Sequence, residues 1–263
     1  PSHYGCQVTV INGEPAGEFA HPPEPTPAHL AGLGEGTRAA GADLGIAVDP
    51  DADRLVLVDE RGVVLSEEYT VTLAVLSVLG NERGPAGAPV VVNLSTTRMV
   101  EDVAKRYGAS VVRTPVGERH VVEGMRAHRA VVGGEGNGGV IYPRSHEGRD
   151  SLVGSAFILD LLATTRKKLS EIVRELPFYI MTKEKLPQTT AWDQASTERL
   201  LTGAFPGAHC SAIDGVRADT PRGWMHLRPS NTEPVVRLIV EGEDSAVVEQ
   251  LRARARALLA VPV

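Results

Sequence analysis

Three carboxylates recur at every second position in Asp49-Pro50-Asp51-Ala52-Asp53-Arg54, directly after the apolar run Leu44-Gly45-Ile46-Ala47-Val48. In extended backbone, alternate side chains share a face. Asp49, Asp51 and Asp53 therefore project together, with Pro50 and Ala52 opposite. Carboxylates this close repel one another unless a cation compensates. A small oxygen cage that leaves room for a substrate phosphate suits Mg²⁺. Arg54 can neutralise one of the acids or reach a phosphate. A calcium EF-hand shares the spacing, with Glu60 at the twelfth position. Its sixth position demands Gly, however, and here holds Arg54. A solvated acidic turn is the plain alternative.

Far downstream, Arg228-Pro229-Ser230-Asn231-Thr232-Glu233-Pro234 forms a polar loop between two apolar runs. Ser230, Asn231 and Thr232 offer side-chain donors, and the turn offers backbone N–H groups. Arg228 can grip a phosphate bidentately, and Arg237 in the following strand can face the same anion. The competing reading is a hairpin turn built from favourable turn residues. A hard-cation site and an anion site in one chain point to phosphate chemistry on a small molecule.

A third loop, Gly133-Gly134-Glu135-Gly136-Asn137-Gly138-Gly139, contains a G-x-G-x-x-G match at Gly134, Gly136 and Gly139. Dinucleotide binding needs a helix next, and Val140-Ile141-Tyr142-Pro143 instead looks extended. The loop is better suited to bringing Glu135 and Asn137 to a ligand. Glu135 accepts hydrogen bonds and Asn137 both donates and accepts, which fits sugar hydroxyls. A plain Gly-rich turn is the alternative.

The elements that must carry these loops alternate along the chain. Strands are expected at 7–12, 43–48 and 55–59, then at 90–92, 110–113 and 130–132, and finally at 224–228 and 235–241. Helices are expected at 28–40, 67–79, 97–107, 121–128, 151–164, 168–176 and 245–259, with Asp150 as an N-cap. Strand–helix alternation with short links implies a mixed or parallel α/β sheet. Boundaries are expected near residue 68 and near 177–187. They divide the chain into 1–68, 69–180 and 181–263.

The formal charge of −6, from 33 acidic and 27 basic residues, argues against a nucleic-acid partner, which would require a basic stripe. No apolar run approaches the roughly 20 residues that cross a membrane. Cys6 and Cys210 make no CxxC spacing, so a reduced, cytoplasmic setting is expected. The chain opens on Pro1 within what reads as a working unit, which suggests a fragment.

With these three loops in this order, the chain resembles the α-D-phosphohexomutase family of phosphoglucomutases, phosphomannomutases and phosphoglucosamine mutases. Asp49 to Arg54 is similar to that family's metal loop, Glu135 to Gly139 to its sugar loop and Arg228 to Pro234 to its phosphate loop. The resemblance implies α/β architecture: two similar mixed-sheet α/β domains followed by a smaller α+β C-terminal domain, the family's second to fourth domains. It implies that hexose 6-phosphate and hexose 1-phosphate interconvert through a phosphoserine and a hexose 1,6-bisphosphate. Mg²⁺ would sit on Asp49, Asp51 and Asp53. Glu135 and Asn137 would hold sugar hydroxyls, and Arg228, Ser230, Asn231, Thr232 and Arg237 the non-reacting phosphate. The Gly-Glu-Gly-Asn-Gly-Gly form favours glucosamine phosphate over glucose or mannose phosphate.

Two departures stand out. Nothing matches the family's Ser-His-Asn-Pro phosphoserine loop. Pro115 and Gly139 stand where family members often carry a Lys and a His. Glu118 and His120 lie close by and can serve as acid or base, so His120, Glu118 and Arg54 are the candidate catalytic side chains. A non-catalytic sugar-phosphate binder is the rival class.

Overall fold

The computed structural model describes residues 5–14, 17, 19, 21–81, 85–188, 192–230 and 233–259. They form two compact units, Pro1–Pro177 and Phe178–Val263. The architecture is mixed α/β. No helix among the described residues is long and apolar enough to cross a membrane.

The first unit begins with α1 (Ala31–Ala39) and the antiparallel hairpin of β1 (Gly45–Val48) and β2 (Leu55–Val58). The carboxylate loop is the connection within that hairpin. Every residue of β2 is buried. α2 (Glu68–Gly80) is apolar on most of its circumference and buried along its length, so it serves as a core helix rather than an amphipathic cover.

Next come β3 (Val90–Asn93), α3 (Met99–Arg106), β4 (Val111–Thr114), α4 (Glu118–His128), β5 (Val132–Glu135), β6 (Gly139–Tyr142), β7 (His146–Arg149), α5 (Ser151–Thr165) and α6 (Leu169–Glu175). The strands form one sheet in the order β4-β3-β5-β6-β7. β3 pairs in parallel with β4 and β5, while β5, β6 and β7 run antiparallel. The all-buried Val90-Val91-Val92 run is what a central parallel strand requires. Asp150 caps α5 as its side chain accepts from the N–H groups of Leu152 and Val153 at 2.8 and 3.1 Å.

Two expectations change here. Gln7–Asn12 forms no strand, and Val8 and Val10 stand 53% and 72% exposed. An alternating sequence becomes a strand only when a neighbour completes its ladder and covers one face, and none of the described strands pairs with it. The strand expected at 130–132 lies instead at Val132–Glu135, taking in the first half of the glycine loop. Glycine permits this, because a Cβ at Gly133 would collide with the Val91 carbonyl and press on Met125. Across the expected boundary near residue 68, Leu55 and Leu57 of β2 share one core with Val71 and Val75 of α2 and Phe157 and Ile158 of α5. Each such buried side chain contributes roughly 1.5–3 kcal/mol.

The second unit is an antiparallel sheet in the order β8-β12-β11-β10-β9 with two helices. Its elements are β8 (Ile180–Pro187), α7 (Gln194–Ala204), β9 (His209–Ser211), β10 (Val216–Thr220), β11 (Gly223–Pro229), β12 (Val235–Gly242) and α8 (Ser245–Leu259). The segment ending at Pro187 is the edge strand β8. Its alternating Lys183, Glu184 and Lys185 suit an edge that must not pair with another chain.

Candidate functional site

In the first unit, the carboxylate loop gathers its three acids. One ligand oxygen from each of Asp49, Asp51 and Asp53 lies within 4.8 Å of the others. The loop turns through Ala52, at φ +58° in the left-handed region. Four hydrogen bonds fix it, three of them to other elements. Leu55 N–H donates to the Gly138 carbonyl at 3.0 Å. Thr70 Oγ1 of α2 donates to the Leu55 carbonyl at 2.6 Å. Ser151 Oγ of α5 donates to the Ala52 carbonyl at 2.6 Å. Ala52 N–H closes the turn onto the Asp49 carbonyl at 3.0 Å.

The three acids are not equivalent. Asp49 is buried. Its Oδ1 accepts from the N–H groups of Asp53 and Arg54 at 3.1 and 3.0 Å, and its Oδ2 from Arg54 Nε at 2.5 Å. Burial alone would favour its neutral form, but the Arg54 backbone and guanidinium outweigh it and hold the Asp49 carboxyl below the usual range. Asp51 is exposed. Asp53 sits between them. Burial, with Asp49 and Asp51 close by, pushes its carboxyl up against the pull of Arg149. Asp53 Oδ2 pairs with a terminal nitrogen of Arg149. Its Oδ1 is buried with no hydrogen-bond partner among the described residues, and Arg54 Nε lies 3.6 Å away. A buried, unpartnered carboxylate oxygen beside two further carboxylates fits a hard divalent cation.

Glu135 ends β5 and is buried. Its Oε1 accepts from Asn93 Nδ2 at 2.7 Å and from the Gly117 N–H at 2.9 Å, and its Oε2 from Arg149 at 3.0 Å. Its carboxylate is therefore engaged by three protein donors. Asn137 forms the tip of the β5–β6 hairpin, and its Oδ1 accepts the Gly139 N–H at 3.2 Å. β6 follows the glycines directly, with no helix, as the sequence predicts.

The proposed acid/base pair diverges. Glu118 Oε1 accepts the Arg149 N–H at 2.6 Å, which ties it to the same cluster. His120 stands on the outer side of α4's first turn, its side chain 47% exposed and 4.0 Å from Glu123. Arg54 is committed to Asp49.

Sequence reading missed Arg149. It closes β7 in His146-Glu147-Gly148-Arg149, a segment with no apolar alternation and no motif spacing. It also missed Asn93, whose Oδ1 accepts from Ser95 N–H and Thr96 Oγ1 at 2.8 and 3.0 Å while its amide holds Glu135. The run Ser95-Thr96-Thr97 reads as a helix start. Instead Thr96 reaches out of it and accepts the Gly136 N–H at 3.0 Å.

In the second unit, β11 and β12 place Arg228 directly opposite Arg237, and Lys185 of β8 opposite Arg237 in turn. Paired positions share a face, so three cations line up across three strands. Like charges directly opposite destabilise a sheet, and two carboxylates offset them. Asp214 takes Arg228 Nε at 2.9 Å, while Glu233 takes Lys185 Nζ at 2.9 Å and lies 3.6 Å from Arg237. The Ser230 N–H closes the hairpin on the Val235 carbonyl at 2.9 Å, so that backbone donor is committed. Asn231 and Thr232 lie outside the described residues. Two residues before Arg228 on the same face of β11, the buried His226 has its Nε2 2.7 Å from the Asp214 carbonyl oxygen. Burial, foremost, depresses that imidazole to about 4.

Three family models match in chain order: phosphoglucomutase/phosphomannomutase alpha/beta/alpha domain II over residues 2–62, alpha/beta/alpha domain III over 66–179, and the C-terminal domain over 184–258. A probable phosphoglucosamine mutase of Methanopyrus kandleri is 36% identical over 253 residues, covering 94% of this chain and 55% of that protein. A phosphoglucomutase/phosphomannomutase of Thermococcus kodakarensis is 36% identical over 240 residues, covering 91% and 52%. Among solved structures, a phosphoglucomutase/phosphomannomutase family protein from Burkholderia thailandensis superposes with a TM-score of 0.77 at 27% identity, covering 90% of this chain and 51% of that one. The chain spans about half the length of the curated relatives it matches.

Proposed function

The chain belongs to the phosphoglucomutase/phosphomannomutase family, and from that premise we propose that it serves a phosphohexomutase, an intramolecular phosphotransferase interconverting hexose 6-phosphate and hexose 1-phosphate. One observation supports this most: the braced loop of Asp49, Asp51 and Asp53, with a buried, unpartnered oxygen on Asp53. Mg²⁺ held by those three carboxylates would offset negative charge on a transferring phosphoryl group.

The chain's own residues have separate tasks. Arg54 orients Asp49 and neutralises it in part, leaving Asp51 and Asp53 as the open side of the metal loop. Asn137, at the hairpin tip, reaches sugar hydroxyls. Glu135 contributes to the same recognition once a ligand hydroxyl replaces one of its three donors. Arg228 and Arg237, brought opposite each other by strand register, take the non-reacting phosphate, with Ser230 and, next to it in sequence, Asn231 and Thr232 as further donors. Glu118 is a better acid/base candidate than the outward His120, because it joins the cluster that contains Asp53 and Glu135. The phosphoserine of the family's cycle has no counterpart motif in this sequence.

The sugar we propose is glucosamine phosphate. Its support is the Gly-Glu-Gly-Asn-Gly-Gly loop and the similarity to the Methanopyrus kandleri protein. The comparable similarity to the Thermococcus kodakarensis protein keeps glucose and mannose phosphate as the second reading. Calorimetric titration with glucosamine, glucose and mannose 6-phosphates, with Mg²⁺ present, tests the order. The tightest binding is expected for glucosamine 6-phosphate, and tighter binding of mannose 6-phosphate would reverse the assignment.

A further inference from the structure

Arg149 joins three elements that lie apart in sequence. One terminal nitrogen pairs with Asp53 Oδ2, and the other donates to Glu135 Oε2 at 3.0 Å. Its backbone N–H donates to Glu118 Oε1 at 2.6 Å, and its Nε lies 3.8 Å from Glu118 Oε2. The side chain is only 19% exposed. A planar guanidinium can hold two carboxylates at once with fixed geometry, which an ammonium cannot.

The stem of Arg149 has a dedicated channel. A Cβ at Gly139 would collide with Cδ of Arg149 and press on its Cγ. Gly139 has no left-handed backbone requirement, so its glycine is explained by the space this arginine occupies. No side chain at position 139 can therefore project into the cluster while Arg149 passes there.

We infer that Arg149 is a positioning residue for the metal loop, holding Asp53 by Oδ2 so that Oδ1 faces the cation, and anchoring that hold on Glu135. The inference rests on the metal reading above. Two alternatives make different predictions. If Arg149 acted only as a nearby positive charge, removing it would tighten divalent-metal binding. If it only supported the fold, it would leave metal affinity unchanged below the unfolding temperature.

The test is calorimetric Mg²⁺ titration of the whole chain, the Arg149→Lys and Arg149→Met variants, and Gly139→Ala, all well below their unfolding midpoints. Gly139→Ala keeps every charge and chiefly displaces the arginine stem, with a smaller push on Asn137 Oδ1. All three variants are expected to bind Mg²⁺ about tenfold or more weakly than the parent, the scale on which outer-shell partners act. Mn²⁺ bound to them should show an altered electron paramagnetic resonance line shape. Unchanged affinity in Arg149→Lys with tighter binding in Arg149→Met would overturn the inference, as would parent-like affinity in all three. A parent chain that binds no Mg²⁺ would overturn the metal reading and this inference together.

Discussion

The carboxylate loop of the first unit and the Arg228–Arg237–Lys185 row of the second both concentrate like charges, but they neutralise them differently. Asp49 and Asp53 are held in a largely buried cluster whose counter-charge comes partly from Arg149, on a strand far along the chain. Arg228, Arg237 and Lys185 stand on one sheet face and are offset by carboxylates in the adjoining loops, Asp214 and Glu233. The pairs around Glu233 are exposed, and such pairs contribute only about 0–1 kcal/mol and weaken with salt. The first arrangement is preorganised and leaves an oxygen for a cation. The second leaves the exposed Glu233 partners of Lys185 and Arg237 exchangeable, which on the proposed reading is where a dianionic phosphate enters.

The largest expected effect falls on the preorganised side. Asp51 is exposed and does not carry the internal bracing, so Asp51→Asn should remove saturable Mg²⁺ binding, beyond the ~10–100-fold cost of losing an outer-shell partner. Metal-free stability should change by no more than about 0.5 kcal/mol. Stoichiometric binding retained by this variant in calorimetry would break the contrast, because the loop would then not be a metal site.

The next effect tests whether the second unit is preorganised behind its exposed face. His226 is buried neutral, with a folded-state value of about 4 against an ordinary 6.5. The unfolded chain therefore takes up the proton first. Stability of this unit should fall as pH drops from about 6.5 to about 4, by roughly 3 kcal/mol in all, and level off below. Thermal unfolding followed across that range checks it. A flat profile would mean that the Asp214 segment behind Arg228 is not held by this imidazole.

The smallest effect is on ligand affinity at the open face. Arg228→Ala should weaken hexose-phosphate binding by about 2 kcal/mol, the scale of a charged hydrogen bond, with little change in folding. Equal affinity in mutant and parent would remove the phosphate loop from the site.

Much of this molecule is legible locally. The carboxylate spacing, the Asp150 cap and the apolar runs of β3 and β12 all depend on residues within a few positions of one another. Strand period, helix capping and turn chemistry are short-range, so a linear sequence carries them. The resemblance to the family rests on these same short loops.

What the sequence could not assign depends on which element meets which. Gln7–Asn12 alternates like a strand and forms none, because pairing needs a neighbour. Val132–Glu135 is a strand despite two glycines, because β3 and α4 crowd Gly133 and β6 and α2 crowd Gly134. Glu135 reads as an open ligand contact and proves to be held by Asn93, Gly117 and Arg149. Ser151 reaches Ala52 across 99 residues to brace the carboxylate loop. By itself, the sequence determined the chemistry of each loop. Only the tertiary structure decided how those charges are oriented and balanced, since Coulomb and hydrogen-bond energies depend on distance in space and not along the chain.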